Sequence, residues 1–470
     1  MPHIHNINFS EHDIFRNAEI NINLTQTRSE ENHFSLIIGE NGTGKSELLK
    51  EIVEYFRIRK FGNKSPQIKG VQLELNPKIT NDWPKKIIAS SFSLNDKFPF
   101  MQREAKDDEN AFYRYLGIRT ASNNAFTGKI RDELFICMNK IFSNRNKLNK
   151  FIKIVGAFSL PTSYTFEFSQ PRGFEDLFKS NNKITSNTLI STSKNIIEKL
   201  NTSRRFTPPA LERVRDDLTF NRYVVNSIKK VYKGKDNNKN KKITFELDGI
   251  HSNALPESAL ETEFMLRSKL ISIKEFSPSE GLKFQQMSSG QFHILKSIIT
   301  LIAEIEDNSL ILIDEPEISL HPSWQVNYMS VLNDMLSGYK GCHVFVATHS
   351  HLIVTSLPLK NSDVLVTRKR KVSREILIES LKGSPSGWSS DMILYGVFGV
   401  INANNKSFEF DIDHVASLMS NWVYSDDNIQ SLEMAISRLT QYKLPDSDPL
   451  TVFIVKAEAF LKKVKKNEKL

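Results

Sequence analysis

Eight residues near the start of the chain have the types and spacing of a loop that holds phosphate groups. They run from Gly39 to Ser46 and read GENGTGKS. Glycines let the backbone curl until successive N–H groups point at one anion, and a helix beginning near Lys45 adds its positive end. In this pattern the lysine contacts the β and γ phosphates, and Ser46 places its hydroxyl on Mg²⁺. The spacing predicts an ATP–Mg²⁺ site with these nucleotide contacts: Gly39, Asn41, Gly42, Thr43, Gly44, Lys45, Ser46 and Glu47.

Two adjacent acids form a second candidate group much later in the chain. The segment LILIDEP, residues 310–316, is an apolar run that ends in Asp314 and Glu315. A carboxylate at a strand end can hold Mg²⁺ or its water shell, and the next one can accept a proton from the water that attacks the γ-phosphate. We therefore expect Asp314 and Ser46 to hold the metal, with Lys45 and Glu315 in the catalytic machinery.

The segments around both groups have the alternation of an α/β fold. Residues 34–38 (FSLII) form a short apolar run that ends in glycine, which is typical of a buried parallel strand. From Lys45 the apolar spacing becomes helical. In the second half the pattern predicts a helix at 291–305, a strand at 310–313, a helix at 323–337 and a strand at 343–347. Each candidate group thus follows a strand.

The remaining segments predict additions to this α/β core. Strands are expected at 3–9, 18–24 and 86–91, and a helix at 128–146. Alternating apolar residues predict strands near 164–168, 243–247 and 271–273, with a helix at 209–229. The final helix has an apolar stripe that can pack on its own domain or on a partner chain. We expect core segments at 1–120 and 281–400, a mixed α/β insertion at 121–280 and a helical region at 401–470.

Composition sets broad limits on the class of protein. Of the 470 residues, 39% are hydrophobic, and no apolar run approaches the roughly 20 residues that span a bilayer. The first thirty residues lack the order of a signal peptide, so a cytoplasmic protein without a membrane partner is expected. Cys137 and Cys342 are then expected to be thiols in the core.

The chain is basic, with 63 Lys and Arg against 54 Asp and Glu, and a net charge of +9. Its densest basic stretch, KKVYKGKDNNKNKK at 229–242, is typical of a solvated hairpin tip. It could equally contact the phosphate backbone of DNA or RNA, because a few well-placed lysines suffice for such binding. Nucleic acid therefore stays open as a partner.

The residues MSSGQ, 287–291, give the chain a resemblance to the ABC-type ATPases. They are similar to the signature LSGGQ of that family, with Met for Leu and Ser for the first Gly. They precede a predicted helix, whose positive end can offer hydroxyl and backbone donors. The resemblance implies that the signature of one subunit binds the γ-phosphate of ATP held by the opposite subunit. It adds these nucleotide contacts: Ser288, Ser289, Gly290 and Gln291.

Two further elements of the ABC family follow in order, and one is missing. His349 resembles the switch histidine, which senses the γ-phosphate, and it joins the expected catalytic residues. Ser319 lies in a segment similar to the D-loop, which crosses the dimer interface. No glutamine follows the strand at 87–92, where the Q-loop is expected, so Ser91, Ser93 or Asn95 could replace it. The implied fold is an ABC-type P-loop ATPase head.

The motif EPEISLHP at 315–322 resembles one branch of the ABC-type ATPases, which contains overcoming-lysogenization-defect nucleases, RecF-like repair proteins and antiphage systems. Short motifs at 93–99, 115–119 and 388–391 are similar to the stand-alone ATPases of Septu and retron-associated defence systems. The resemblance implies an ATPase without its own nuclease site that forms a head-to-tail dimer or a higher oligomer. Its expected partner is a separately encoded nuclease of the HNH type.

Two other functions use the same ATP site. A RecF-like clamp acting at DNA ends or gaps fits the positive charge equally well, and neighbouring genes would separate it from a defence role. The ATP-binding subunit of a transporter is disfavoured, because the Q-loop glutamine is missing and the insertion is longer than that class carries.

Overall fold

The fold is built on strands of continuous apolar residues, as the sequence predicts for strands covered on both faces. The computed structural model describes residues 3–22, 24, 30–61, 71–75, 83–91, 93, 95–99, 112–117, 127–169, 241–247, 255–256, 258–267, 271–278, 286–358, 360–370, 375–381, 393–394, 406–440 and 449–465. The predicted helix at 209–229, the basic stretch up to residue 240 and the motif at 388–391 lie outside these residues.

The described strands and helices alternate in the order expected of an α/β protein. The strands are β1 (Ile4–Phe9), β2 (Glu19–Asn21), β3 (His33–Gly39), β4 (Val71–Leu75), β5 (Lys86–Ser91), β6 (Tyr113–Tyr115), β7 (Ser163–Phe168), β8 (Lys241–Glu246), β9 (Ile273–Ser277), β10 (Ser309–Asp314), β11 (His343–Thr348), β12 (Ser362–Lys369) and β13 (Ile376–Ser380). The helices are α1 (Lys45–Phe61), α2 (Thr127–Phe142), α3 (Arg145–Ala157), α4 (Ala259–Arg267), α5 (Ser289–Glu304), α6 (Pro322–Leu336), α7 (His351–Thr355), α8 (Lys406–Ser420), α9 (Asp426–Thr440) and α10 (Pro449–Lys465).

Seven strands form the main sheet, in the order β13-β12-β3-β11-β10-β5-β6. Neighbours from β12 to β6 run parallel, whereas β13 is antiparallel to β12. Parallel strands end at the same edge of a sheet, and ligands of open α/β sheets bind beyond that edge. The carboxyl ends of β3, β10 and β11 therefore bring Gly39, Asp314 and Thr348 to one place, as the sequence predicts.

Alternate side chains of the central strands pack into two separate cores. On one face, Leu36 and Ile311 join the cluster formed with α2, α3, α5 and α6. On the other face, Ile37 and Leu312 join the cluster formed with α1 and the β2-β1-β4 sheet. Because both faces of the sheet are covered, every residue of β3 and β10 is buried, including the few polar ones. Cys137 and Cys342 are buried free thiols, which confirms their predicted place in the core.

The described part of segment 121–280 shares a core with the main sheet. Its strands form the antiparallel sheet β8-β7-β9, whose inward residues include Phe166, Phe245 and Phe276. These rings belong to the same apolar cluster as Leu36 of β3. The predicted alternation of β7 and β8 is confirmed. Helix α2 packs between this sheet and α5, so the segment supports the helix that follows Ser288.

The predicted continuous helix at 128–146 was wrong at its carboxyl end. Helix α2 ends at Phe142, and the Asn144 side chain accepts hydrogen bonds from the N–H groups of Asn146 and Lys147 to cap α3. Asparagine is among the best N-cap residues because its short side chain reaches these donors. The helical spacing of apolar residues continues across the break and hides it. The polar run after Phe142 was the signal for the end of the helix.

The last three helices form a unit with its own apolar core, which we call the C-terminal helical unit (residues 406–465). Seven buried residues of α8, α9 and α10 make this cluster, among them Val415, Leu432 and Ile454. The predicted stripe of α10, including Phe453 and Phe460, packs on this cluster. The inner face of α10 is therefore covered by its own chain. Among the described helices, none is both long enough and apolar enough to cross a membrane.

A buried polar network joins the amino ends of the strands at the edge opposite the predicted ATP site. The N–H of Ile4 donates to His343 Nδ1 at 3.1 Å, so a neutral ring carries its proton on Nε2. That nitrogen lies 2.9 Å from Ser35 Oγ, which donates to Asp363 Oδ1 at 2.7 Å. His33 Nε2 lies 3.0 Å from the same carboxylate oxygen. The network fixes β1 to the main sheet.

We expect this edge to lose stability in mild acid because of His3. His3 is 2% exposed, and His5 is partly buried. Burial, helped by the nearby His33, lowers the pKa of His3 from 6.5 to about 4. Folding thus favours the neutral ring of His3. The contribution of His3 to the free energy of unfolding is therefore complete above pH 6.5 and is lost as the pH falls towards 4.

The expected loss in free energy of unfolding is about 2 kcal/mol between about pH 7.5 and about pH 5. Urea denaturation at the two pH values measures it. The His3→Phe variant, which keeps a ring but cannot be protonated, should show a smaller difference between them. An unchanged difference would contradict the assignment to His3.

Candidate functional site

The phosphate-binding loop connects β3 to α1 and holds its lysine inside the curl. Lys45 is 5% exposed, and its Nζ donates to the carbonyl oxygens of Gly39 and Glu40, both at 2.9 Å. Burial lowers the pKa of Lys45, while nearby carboxylates, Glu315 first among them, oppose that shift. Phosphate oxygens are stronger acceptors than carbonyls. The ammonium is therefore placed to exchange loop carbonyls for phosphate within the same loop.

Close packing beneath the loop explains two of its glycines. A Cβ at Gly39 would lie 2.2 Å from Thr367 Oγ1 of β12. Gly44 has a φ of +85°, which only glycine adopts readily, and a Cβ there would lie 2.9 Å from the ring of Phe15. Phe15 is 1% exposed and packs against Phe9, with the ring centroids 4.6 Å apart and the rings tilted by 36°. The turn between β1 and β2 thus supports the loop from below.

Ser46 and Asp314 form the predicted metal side of the site. Ser46 Oγ donates to Asp314 Oδ1 at 3.1 Å, across the carboxyl edge of the main sheet. Burial raises the pKa of Asp314 to about 7; the bond from Ser46 opposes this, and Glu315, Asp96 and Glu317 add to it. A divalent cation beside this buried carboxyl would favour its ionised form.

The donor set also fits Mg²⁺ rather than a cation held by protein alone. A hydroxyl and one carboxylate are hard oxygen ligands, and Mg²⁺ usually takes its other ligands from water and phosphate. Among the described residues, no group of three or more His, Cys, Asp or Glu could hold a metal ion by itself. A cation between Ser46 and Asp314 would therefore rely on the oxygens of a bound nucleotide.

Glu315 lies directly after β10 in an uncommon backbone conformation. Its φ is +49°, in the left-handed region, and its N–H donates to Ala347 O of β11 at 2.9 Å. Such a conformation costs free energy in residues other than glycine and tends to occur at functional sites. The negative charge of this partly exposed carboxylate acts to raise the pKa of both Lys45 and Asp314. The carboxylate of Glu315 therefore lies within electrostatic range of the phosphate loop.

His349 is held by Glu317, a residue to which the sequence motifs assigned no role. Glu317 Oε1 accepts a hydrogen bond from the His349 backbone N–H at 2.7 Å and lies 2.9 Å from its ring Nδ1. This bond raises the pKa of His349. Burial would raise the pKa of Glu317, but hydrogen bonds, first from His349, lower it overall. The pair turns a partly exposed, readily protonated ring towards the carboxyl edge.

The MSSGQ segment begins α5 and contacts the segment after Glu317. Ser288 Oγ accepts from the Gln291 N–H at 3.2 Å, and Gln291 Oε1 accepts from the Ser288 N–H at 3.1 Å. This capping box fixes the first turn of the helix. A Cβ at Gly290 would lie 2.3 Å from Ser319 O, so only glycine permits this approach. Ser288 and Ser289 are exposed.

Comparison with known proteins assigns the chain to a family. The family described as "AAA domain, putative AbiEii toxin, Type IV TA system" matches residues 34–355, more than half of the chain. The chain belongs to this family. It contains an ATP-binding P-loop ATPase domain, with an α/β fold built on a mainly parallel sheet.

Other similarities are more limited. Protein ea59 of Escherichia phage lambda is 36% identical over 73 residues, which cover 16% of this chain and 14% of ea59. Among solved structures, the SmcHead bound to the C-winged helix domain of ScpA is 11% identical, with 81% of this chain and 98% of that chain covered and a TM-score of 0.29. Stu0660 of Streptococcus thermophilus is 11% identical, with coverage of 97% and 93% and a TM-score of 0.32. At these scores the structures carry no argument about function.

The predicted site falls into two parts within one chain. Its metal and catalytic residues lie together, whereas the MSSGQ segment lies elsewhere. Lys45, Asp314, Glu315 and His349 lie within electrostatic range of one another at the carboxyl edge. Within the described part of the chain, the MSSGQ residues form no hydrogen bond or ion pair with loop 39–46. They lie against the segment of Ser319, whose φ is +63°.

Three of the predicted nucleotide contacts, two in the loop and one in α1, have side chains in different surroundings. Thr43 is 3% exposed and donates to Glu40 O at 2.7 Å, so its backbone N–H is the available donor. Asn41 is exposed, and Glu47 pairs with Lys50 at 2.6 Å. Among the predicted contacts, Glu47 is therefore engaged on the flank of α1.

Asp96 occupies the region where the sequence analysis found no Q-loop residue. Of the proposed replacements, Ser91 Oγ accepts from the Ser93 N–H and Ser93 Oγ from the Asn95 N–H, so both serines serve local turns. Asp96 is 3% exposed, accepts a hydrogen bond from Tyr115 at 2.7 Å, and raises the pKa of Asp314. In the sequence, the signal for this residue was a single acid in the short turn after β5.

Proposed function

We propose that two copies of the ATPase close on ATP and hydrolyse it at sites that they share. The main support for this proposal is the start of α5, which is exposed and capped. Because Ser288 Oγ accepts from its own helix, its O–H stays available to donate outwards, beside the positive end of the helix. Ser289 is exposed next to it. A second copy facing loop 39–46 could present both serines to a γ-phosphate.

Each residue of the site then has a separate task. Lys45 neutralises charge on the β and γ phosphates, and Ser46 with Asp314 holds Mg²⁺, which would supply charge neutralisation at the phosphates. Glu315 accepts the proton of the attacking water. His349, kept readily protonated by Glu317, donates to the γ-phosphate region. The second copy adds the donors of Ser288, Ser289 and Gly290 as negative charge develops.

Mixing two inactive variants tests the sharing of sites. We expect Ser289→Arg to block hydrolysis at the site of the opposite copy, and Lys45→Ala to block it at its own site. A mixed dimer therefore keeps one intact site, and at equal mixing about a quarter of the wild-type ATPase rate should return. Phosphate release from each variant alone and from the mixture measures this. If the mixture stays as inactive as its components, the shared geometry is wrong.

We propose further that the ATPase belongs to an antiphage defence complex and controls a separately encoded nuclease, of the HNH type. The family description, which names a putative toxin of a type IV toxin–antitoxin system, supports a role in bacterial conflict. The resemblance of segment 93–99 to ATPases of defence systems supports the partner class. Copurification with the products of adjacent genes tests the proposal. Recovery of a nuclease would support it, and recovery of replication or repair proteins would contradict it in favour of a RecF-like clamp.

A further inference from the structure

The C-terminal helical unit carries a large share of the exposed apolar surface. Of the ten large apolar side chains that are exposed among the described residues, six lie in this unit. They are Phe410, Val423, Tyr424, Met434, Val452 and Val455. The other four are scattered over the rest of the chain. Concentrated exposed apolar surface marks an interaction site more often than isolated residues do.

These side chains lie outside the core of the unit. On α10, Ile454 and Ala457 are buried in the three-helix cluster, while Val452 and Val455, one helical turn apart, are 53% and 58% exposed. On α8, Phe410 is 67% exposed, on the side away from the buried Val415. Helices α8 and α10 are in contact within the unit, so both outer faces border one surface.

The two outer faces carry opposite charges that form no ion pair with any part of the chain that the structure describes. Exposed acids flank Phe410 on α8, and exposed lysines flank the valines on α10. They are Glu409 and Asp413 on α8, and Lys456, Lys462 and Lys463 on α10. No ion pair within the described residues involves any of them. Other charges of the unit are paired internally, as Arg438 is with Asp411 at 2.6 Å and Lys465 with Glu433 at 2.7 Å.

We propose that a second copy of the chain covers this surface, with α8 of each copy lying against α10 of the other. Two-fold symmetry makes such a contact self-complementary, because each copy supplies one acidic and one basic face. Phe410 would pack against Val452 and Val455 of the facing helix, and the charges would form the polar rim. A second copy would bring each acidic face against a basic face, and the two-fold axis would form this pairing twice. The contact involves no ATP-site residue, so it forms without nucleotide and is separate from the ATP-dependent closure.

Charge reversal on the full chain, without nucleotide, tests this contact. We expect the wild-type chain to sediment as a dimer, with twice the 53.9 kDa mass of one chain. A basic-face variant, Lys456→Glu with Lys463→Glu, and an acidic-face variant, Glu409→Lys with Asp413→Lys, should each raise the dimer Kd about tenfold or more. Mixing the two variants should restore dimers, because each then supplies the face that the other lacks.

A matched control changes charge elsewhere on the same unit. Asp426→Lys with Asp427→Lys, in the exposed first turn of α9, alters net charge as much as the acidic-face variant and should leave the dimer Kd within about twofold. If a single-face variant unfolds, a second test uses the chain that carries all four substitutions. Its two faces again have opposite charges, so it should dimerise. A monomeric wild-type chain, or dimers that both single-face variants retain, would overturn the proposal. So would a mixture of those variants that stays monomeric.

Discussion

Replacing Lys45 by alanine is expected to weaken ATP binding by about 100-fold or more. Lys45 is the single ammonium inside the curl of the phosphate loop, and its Nζ already lies 2.9 Å from two loop carbonyls. Without it, the carboxylates of Asp314 and Glu315 would face the triphosphate with less opposing charge. Equilibrium binding of a fluorescent ATP analogue, with Mg²⁺ present, measures the change.

Lys50→Ala is the matched control for this loss. Lys50 lies five residues further along α1 and pairs with Glu47 and Glu51 on the flank of the helix. Its removal should change ATP affinity by no more than about twofold, because partly exposed ion pairs contribute little. Equal effects of the two substitutions would mean that general charge, rather than the loop, sets the affinity.

The Glu315→Gln variant should bind ATP normally and lose turnover by about 100-fold or more. Glutamine has nearly the same shape as glutamate, but its amide cannot accept the proton of the attacking water. ATP would then stay bound, and the closed pair of chains should accumulate. Steady-state phosphate release and light scattering with ATP measure the two effects.

Glu40→Gln provides the corresponding control. Glu40 lies in the phosphate loop and is exposed, and it is the backbone carbonyl of this residue that contacts Lys45. Its neutralisation should leave turnover within about twofold of the wild-type rate. A Glu315→Gln variant that still hydrolyses ATP at the wild-type rate would remove Glu315 from the catalytic role.

The parts of the fold that the sequence predicted correctly depend on short-range patterns. The run at 34–38, its glycines and the helical spacing after Lys45 lie within one strand–loop–helix unit, and β3 and α1 match them. Strand β10 was equally clear, because a buried parallel strand is apolar on both faces. Knowing that parallel strands end together was enough to bring Asp314 to Ser46, residues that are 268 positions apart.

The parts that were missed depend on contacts between distant segments. Phe15 under Gly44 looks like any core aromatic residue until the turn after β1 is seen below the loop. Glu317 gained its role from a bond to His349, 32 residues away. His3 appeared polar and terminal, yet the other histidines that surround it come from separate strands. Periodicity does not record such pairings.

A structure of the Glu315→Gln variant with ATP and Mg²⁺ tests the central claim most directly. We expect a pair of chains in which each γ-phosphate lies within about 3 Å of Lys45 from one copy and of Ser289 or the Gly290 N–H from the other. A γ-phosphate bound by residues of one copy alone, with the serines of α5 facing solvent, would contradict it.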